Sequence, residues 1–136
     1  AGAAACGAAL GRGAGLRFLD LGSSGVGDQG ACCLAAGLAS QFACALEHLG
    51  LSNGRVEDDG AVALAACLAG GAALKTLDLE ANGVGDVGAA RLAAAIAGGA
   101  ALRCLRLQQN WLSDAGLADV VRSAGASDAM EELDLC

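Results

Sequence analysis

The leucine spacing LxxLxL occurs at Leu16-Leu19-Leu21 and returns at Leu46-Leu49-Leu51, Leu74-Leu77-Leu79 and Leu102-Leu105-Leu107, with Met130-Leu133-Leu135 as a fifth start. Successive starts lie 30, 28, 28 and 28 residues apart, the two extra residues falling in the first unit near Gln41 and Phe42. A fixed period of this length means one small unit repeated along the chain, each copy burying its apolar side only against its neighbours.

Inside each period the pattern changes character. The short LxxLxL run alternates as a strand does. Five residues after it comes an aliphatic (Val26, Val56, Val84, Leu112), and two residues later an acid (Asp28, Asp58, Asp86, Asp114). An acid at that point predicts a helix N-cap, its carboxylate accepting from the first-turn N–H groups. The helix that follows is rich in alanine, and its core face is expected at Leu34 and Leu38, Leu64 and Leu68, Leu92 and Ile96, and Val120 and Ala124, four residues apart each time. Gly70-Gly71, Gly98-Gly99 and Gly125 are expected to end the helices. Each unit therefore reads strand, loop, helix, turn, and short right-handed crossovers would lay the strands side by side in parallel.

The stretch Leu74 to Ala93, which reads LxxLDLxxNxVGDxGAxxLA, resembles the leucine-rich repeat of the ribonuclease-inhibitor type, as in NOD-like receptors and Ran GTPase-activating protein. The resemblance covers nearly the whole chain. It implies an α/β fold, a right-handed leucine-rich repeat solenoid or horseshoe with parallel strands on the concave face and helices on the convex face. The units are then 1–15 (partial), 16–45, 46–73, 74–101, 102–129 and 130–136 (the start of another). It also implies a structural asparagine whose side chain bonds loop backbone between units. That position holds Asn82 and Asn110 in two units but Ser24 and Gly54 in the others, with Asn53 one residue early, so the polar ladder should be weaker there. Residues before Leu16 fit the end of a preceding unit, with Cys6 and Leu10 at the places of Leu92 and Ile96. The chain reads as a fragment of a longer array, its open ends suited to self-association.

Composition bears on partners. A net charge of −7 with only 8 Lys+Arg leaves no basic stripe for phosphate backbones, so neither nucleic acid nor an anionic membrane is expected to bind. The seven cysteines form no CxxC pair and no zinc-like spacing beside the single histidine, and they read as reduced thiols of an intracellular, cytoplasmic or nuclear, protein. Adjacent Cys32 and Cys33 would need a low thiol pKa for a redox role. About a quarter of the residues are Ala and 22 are Gly, as suits tightly stacked units.

Two segments, Gly25 to Gly30 and Gly83 to Gly88, spell GxGxxG between a strand and a helix, the spacing that cradles a pyrophosphate. Asp28 and Asp86 would stand in that anion site, and the motif keeps the repeat period, so it reads as part of the framework and no cofactor is expected. The glycine-rich run Gly11 to Gly15 follows a helix and lacks the Lys-Ser/Thr of a phosphate loop. No nucleophile, base and orienting group occur together, so no catalytic site is expected.

With the leucines turned inward, the residues between them face outward in columns. One column holds Arg17, Glu47, Lys75, Arg103 and Glu131, the next Phe18, His48, Thr76, Cys104 and Glu132, and a third Asp20, Gly50, Asp78, Arg106 and Asp134. A constant framework under a variable surface suits recognition of another protein through the concave face. The candidate contact residues are Phe18, His48, Asp78, Arg103, Arg106, Gln108 and Trp111. Trp111 reads either as an exposed anchor or as a lid over Leu112. Two other functions fit the same repeats, a GTPase-activating or other regulatory protein and a structural spacer.

Overall fold

In the computed structural model, which describes residues 2–12, 15–39 and 45–135, helices and strands alternate along the chain. A first helix, α1 (Gly2–Gly11), is followed by four strand–helix units: β1 (Phe18–Asp20) and α2 (Gly27–Leu38), β2 (His48–Gly50) and α3 (Asp58–Ala69), β3 (Thr76–Asp78) and α4 (Asp86–Ala97), and β4 (Cys104–Arg106) and α5 (Asp114–Ala126). A last strand, β5 (Glu132–Asp134), completes one five-stranded parallel sheet in chain order. Pairing is strictly in register, with Leu19, Leu49, Leu77, Leu105 and Leu133 side by side.

That register stacks like on like. Leu49, Leu51, Leu74, Leu77, Leu79, Leu102, Leu105 and Leu107 are fully buried, and from the helices Leu34, Leu64, Leu68, Leu92, Ile96 and Val120 close over them. A leucine to alanine change at such a site costs roughly 3 kcal/mol. Alanine also fills the seams between helices, because Ala31, Ala61, Ala65, Ala89 and Ala93 are buried too. Parallel strands sit about 4.8 Å apart, whereas packed helices need about 8 Å or more. The stack must therefore bend, with the strands on its concave face. The first unit is less covered: Leu16 is 43% exposed, and Leu19 and Leu21 are half-buried. Cys6 packs against the core from α1, while the side chain of Leu10, the segment around Gln41 and Phe42, and the last residue lie outside the described residues.

The junctions between units are held by side chains that reach across them. Asn82 is buried and makes five hydrogen bonds. Its Oδ1 accepts from Gly54 N–H at 3.0 Å and Val56 N–H at 2.9 Å, and its Nδ2 donates to the carbonyls of Leu51, Leu79 and Glu80. Asn110 repeats this one unit later, accepting from Val84 N–H and donating to Leu79, Leu107 and Gln108. Where the asparagine is missing the junction changes. Asn53 reaches only the Ser23 hydroxyl at 3.2 Å, and Gly27 N–H bonds the Gly54 carbonyl instead.

The aspartates do not cap their own helices, as the sequence suggested. Asp58, Asp86 and Asp114 are the first residues of α3, α4 and α5, and Asp28 is the second of α2. Asp28, Asp58 and Asp86 reach forward instead. Asp28 Oδ1 accepts from Glu57 N–H at 2.7 Å and Gly60 N–H at 2.9 Å, and Asp58 Oδ1 accepts from Gly85 N–H at 2.8 Å and Gly88 N–H at 2.9 Å. Each thus caps the helix of the next unit. A side chain on Gly60 would collide with Asp28 Oδ1 at 2.7 Å, and one on Gly88 or Gly116 would meet Asp58 or Asp86 in the same way, which explains the glycine two residues after Asp58, Asp86 and Asp114.

Helices α3 and α4 end as expected, with Gly71 and Gly99 at φ +94° and +93°. Gly125 does not end a helix. It lies inside α5, which runs to Ala126 and stops where Ser127 turns extended at φ −88°, ψ 130°, its hydroxyl accepting from Ala129 and Met130 N–H.

Asn82→Ala removes five bonds at a buried site, and chemical denaturation should show a loss of about 3 kcal/mol. Asn53→Ala, at an exposed site with one bond, should cost about 0.5 kcal/mol or less. Equal losses would contradict the unequal ladder.

Candidate partner-binding surface

The strand residues that point away from the core form a patterned face. Phe18 is 60% exposed, and its ring stacks on that of His48, centroids 4.2 Å apart and planes 4° off parallel. The in-register pairing of Phe18, His48 and Thr76 makes this contact. Charges alternate between neighbouring strands: Lys75 pairs with Glu47 at 3.5 Å, and Arg106 bridges Asp78 at 3.8 Å and Glu132 at 3.6 Å. At this exposure such pairs add little stability. They orient the side chains.

Among the proposed contact residues, Asp78 and Arg106 are thus engaged with each other. Gln108 is also committed, its Nε2 donating to Glu80 at 3.3 Å and Asp134 at 3.2 Å. Arg103 is exposed and makes no ion pair among the described residues. Phe18, His48, Asp78, Arg106 and Gln108 are therefore tied to one face by contacts across the strands, and Phe18 and Arg103 are the exposed groups among the proposed residues.

Trp111 stands elsewhere. It is 81% exposed, so it is no lid over Leu112. It lies on the loop leading into α5, beside Gly83, Gly85, Glu57 and Asp58 of the preceding units, in a groove that no residue of the strand columns lines.

Two thiols, Cys32 and Cys104, are held in their protonated form. Burial pushes the Cys104 thiol up, and Glu132 beside it adds to the effect. Cys32 is raised by partial desolvation of its sulfur and by the charges of Asp28 and Asp59, although the residue as a whole is exposed. Both are protonated at neutral pH, and Cys67 donates to the Leu64 carbonyl within its own helix. Asp86 shows the opposite shift. The Ser113 hydroxyl, then the Ser113 N–H, donate to it and hold its carboxyl below the usual value.

Sequence reasoning missed the forward-reaching aspartates. Their signal was present as Asp-x-Gly at the same place in all four units, since a capping residue for its own helix has no need of a glycine two positions on.

This stack of in-register strands and covering helices, with an asparagine and an aspartate clamping its junctions, defines a leucine-rich repeat solenoid. The chain belongs to that family: the model described as Leucine Rich repeat matches residues 16–35, 44–65, 73–93 and 101–121, more than half of its length. Among solved structures it is similar to "Leiomodin-1 Actin-Binding Site 2 (ABS2)", with a TM-score of 0.82 at 13% identity, covering 96% of this chain and 76% of that one. It is also similar to the tropomodulin C-terminal domain of Caenorhabditis elegans, with a TM-score of 0.81 at 14% identity, covering 98% and 82%. No curated protein matches the chain in sequence.

Because the lowered pKa of Asp86 stabilises its charged form in the fold, this contribution is present above the ordinary carboxylate pKa and is lost as pH falls through the lowered value. Ser113→Ala should raise the Asp86 pKa toward that of an ordinary aspartate, read by side-chain carboxyl NMR titration. An unmoved pKa would contradict the assignment.

Proposed function

We propose that the chain is a non-catalytic protein-interaction module that holds a protein partner against its sheet face. The observation that carries this reading is the contrast along each strand. The leucine positions repeat and are mostly buried, whereas the outward columns vary from unit to unit, most of all Phe18, His48, Thr76, Cys104 and Glu132, and Phe18 and Arg103 stay exposed. Buried aromatic and arginine anchors dominate protein interfaces, and these two are the groups such a partner would cover.

Two further features support it. The single histidine is stacked on Phe18, and the Cys32 and Cys104 thiols are held protonated, so none of these three is presented as an activated nucleophile or base. The leiomodin-1 structure, titled as an actin-binding site, is an array of similar extent, which makes purified actin the first defined partner to test. Among the described residues no helix is long and apolar enough to cross a membrane. We infer an intracellular setting from the thiols.

The test is capture from lysate and binding to purified actin, using the chain beside a Phe18→Ala, Arg103→Glu variant and a helix-face control, Arg91→Glu. Phe18, Arg103 and Arg91 are exposed, so circular dichroism should show all three proteins folded. A protein retained by the chain and the control, but about tenfold less by the sheet-face variant, is the expected result. Equal retention by all three would remove the sheet face as the binding surface.

A further inference from the structure

Trp111 is the only tryptophan of the chain, and it walls an open groove of about 390 Å³ on the loop rim, separate from the strand columns. Gly83 and Gly85 form part of the floor, where a side chain on Gly83 would press on Glu57 at 3.0 Å. The remaining lining is Asp28, Glu57, Asp58 and Asp59. Asp28 and Asp58 spend one carboxylate oxygen each on the backbone of the next unit. The Glu57 and Asp59 carboxylates have no hydrogen bond or ion pair among the described residues. A bare indole thus faces four carboxylates that no lysine or arginine neutralises.

Charge and shape together select the occupant. An apolar segment would strip water from four carboxylates without compensating any of them. Nucleic acid and anionic lipid would be repelled. A naked metal ion does not fit either, since no three acidic, histidine or cysteine groups converge to hold one among the described residues. A cation carried on a long side chain meets both demands: its charge is attracted by the carboxylates, and its stem and head lie on the indole face, whose quadrupole attracts cations.

We propose that this groove docks a cationic segment of a partner protein, an arginine or lysine side chain lying over Trp111 with neighbouring basic residues against Glu57 and Asp59. The site is independent of the sheet face, because none of its residues belongs to the strand columns. A partner can hold both surfaces, and a loss at one leaves the other intact.

Because the chain has one tryptophan, its emission reports on this groove alone. Titration with an octa-arginine peptide should give a saturable change in Trp111 emission that octa-glutamate does not give and that rising salt abolishes. Glu57→Gln with Asp59→Asn, both at exposed and unpaired positions, should weaken the peptide about tenfold. Phe18→Ala with Arg103→Glu should leave it unchanged. Emission that does not respond to the peptide would overturn the proposal. So would an equal response in the Glu57, Asp59 variant, or binding seen by calorimetry while Trp111 stays silent, which would place the peptide elsewhere on the acidic surface.

Discussion

At the three junctions between the four strand–helix units, backbone groups that would otherwise be left without partners are captured by side chains of the adjacent unit. Asn82 reaches back into the loop of the second unit while Asp58 reaches forward from that unit to the start of α4, so the second and third units grip each other from both sides. Asn110 and Asp86 do the same between the third and fourth. Loops and helix starts carry donors that no regular ladder satisfies, and a buried donor without a partner is costly. The N–H groups of Val56, Gly85 and Gly88 find these partners only in the adjacent unit, although α5 is also capped from within its own unit by Ser113. The clamp therefore makes the stack cooperative, fixes the register of the strands, and through that register sets which residues share an outward column.

Much of this was legible in the sequence. The period placed all five strands, and the leucine positions named the core, because burial on one face leaves a strict mark at each repeat. Asn82 and Asn110 were assigned their role from the resemblance, and the weaker junction at Ser24 and Gly54 followed from their absence. The direction of the aspartate bonds was not legible as a cap rule. An N-cap motif describes one helix and its own first turn, whereas Asp28 and Asp58 answer to a helix about thirty residues on. Gly125 misled for a related reason: glycine permits a left-handed turn but does not impose one, and α5 continues past it.

The surface was legible only as a set of columns. Sequence spacing told that Arg106 and Gln108 point outward, but not that Arg106 is held between Asp78 and Glu132 or Gln108 between Glu80 and Asp134. Those contacts depend on rotamers across strands, which periodicity does not encode. Trp111 was legible as a loop residue that could anchor a partner, but its place beside the helix starts and away from the strand columns was not. The result is a molecule with two distinct faces: a sheet of paired charges flanked by an exposed phenylalanine, and an acidic rim with one exposed indole. The same clamps that make the stack rigid hold both faces in place.

Native-state amide hydrogen exchange tests the clamp most directly, read at Val56, Gly85 and Gly88, whose N–H groups donate to side chains of a neighbouring unit. If the clamps couple the units, these amides exchange as slowly as those in the middle of α3 and α4, and Asp58→Ala accelerates exchange in both helices together. Fast exchange at the three amides in the unaltered chain, or acceleration confined to Gly85 and Gly88, would contradict it.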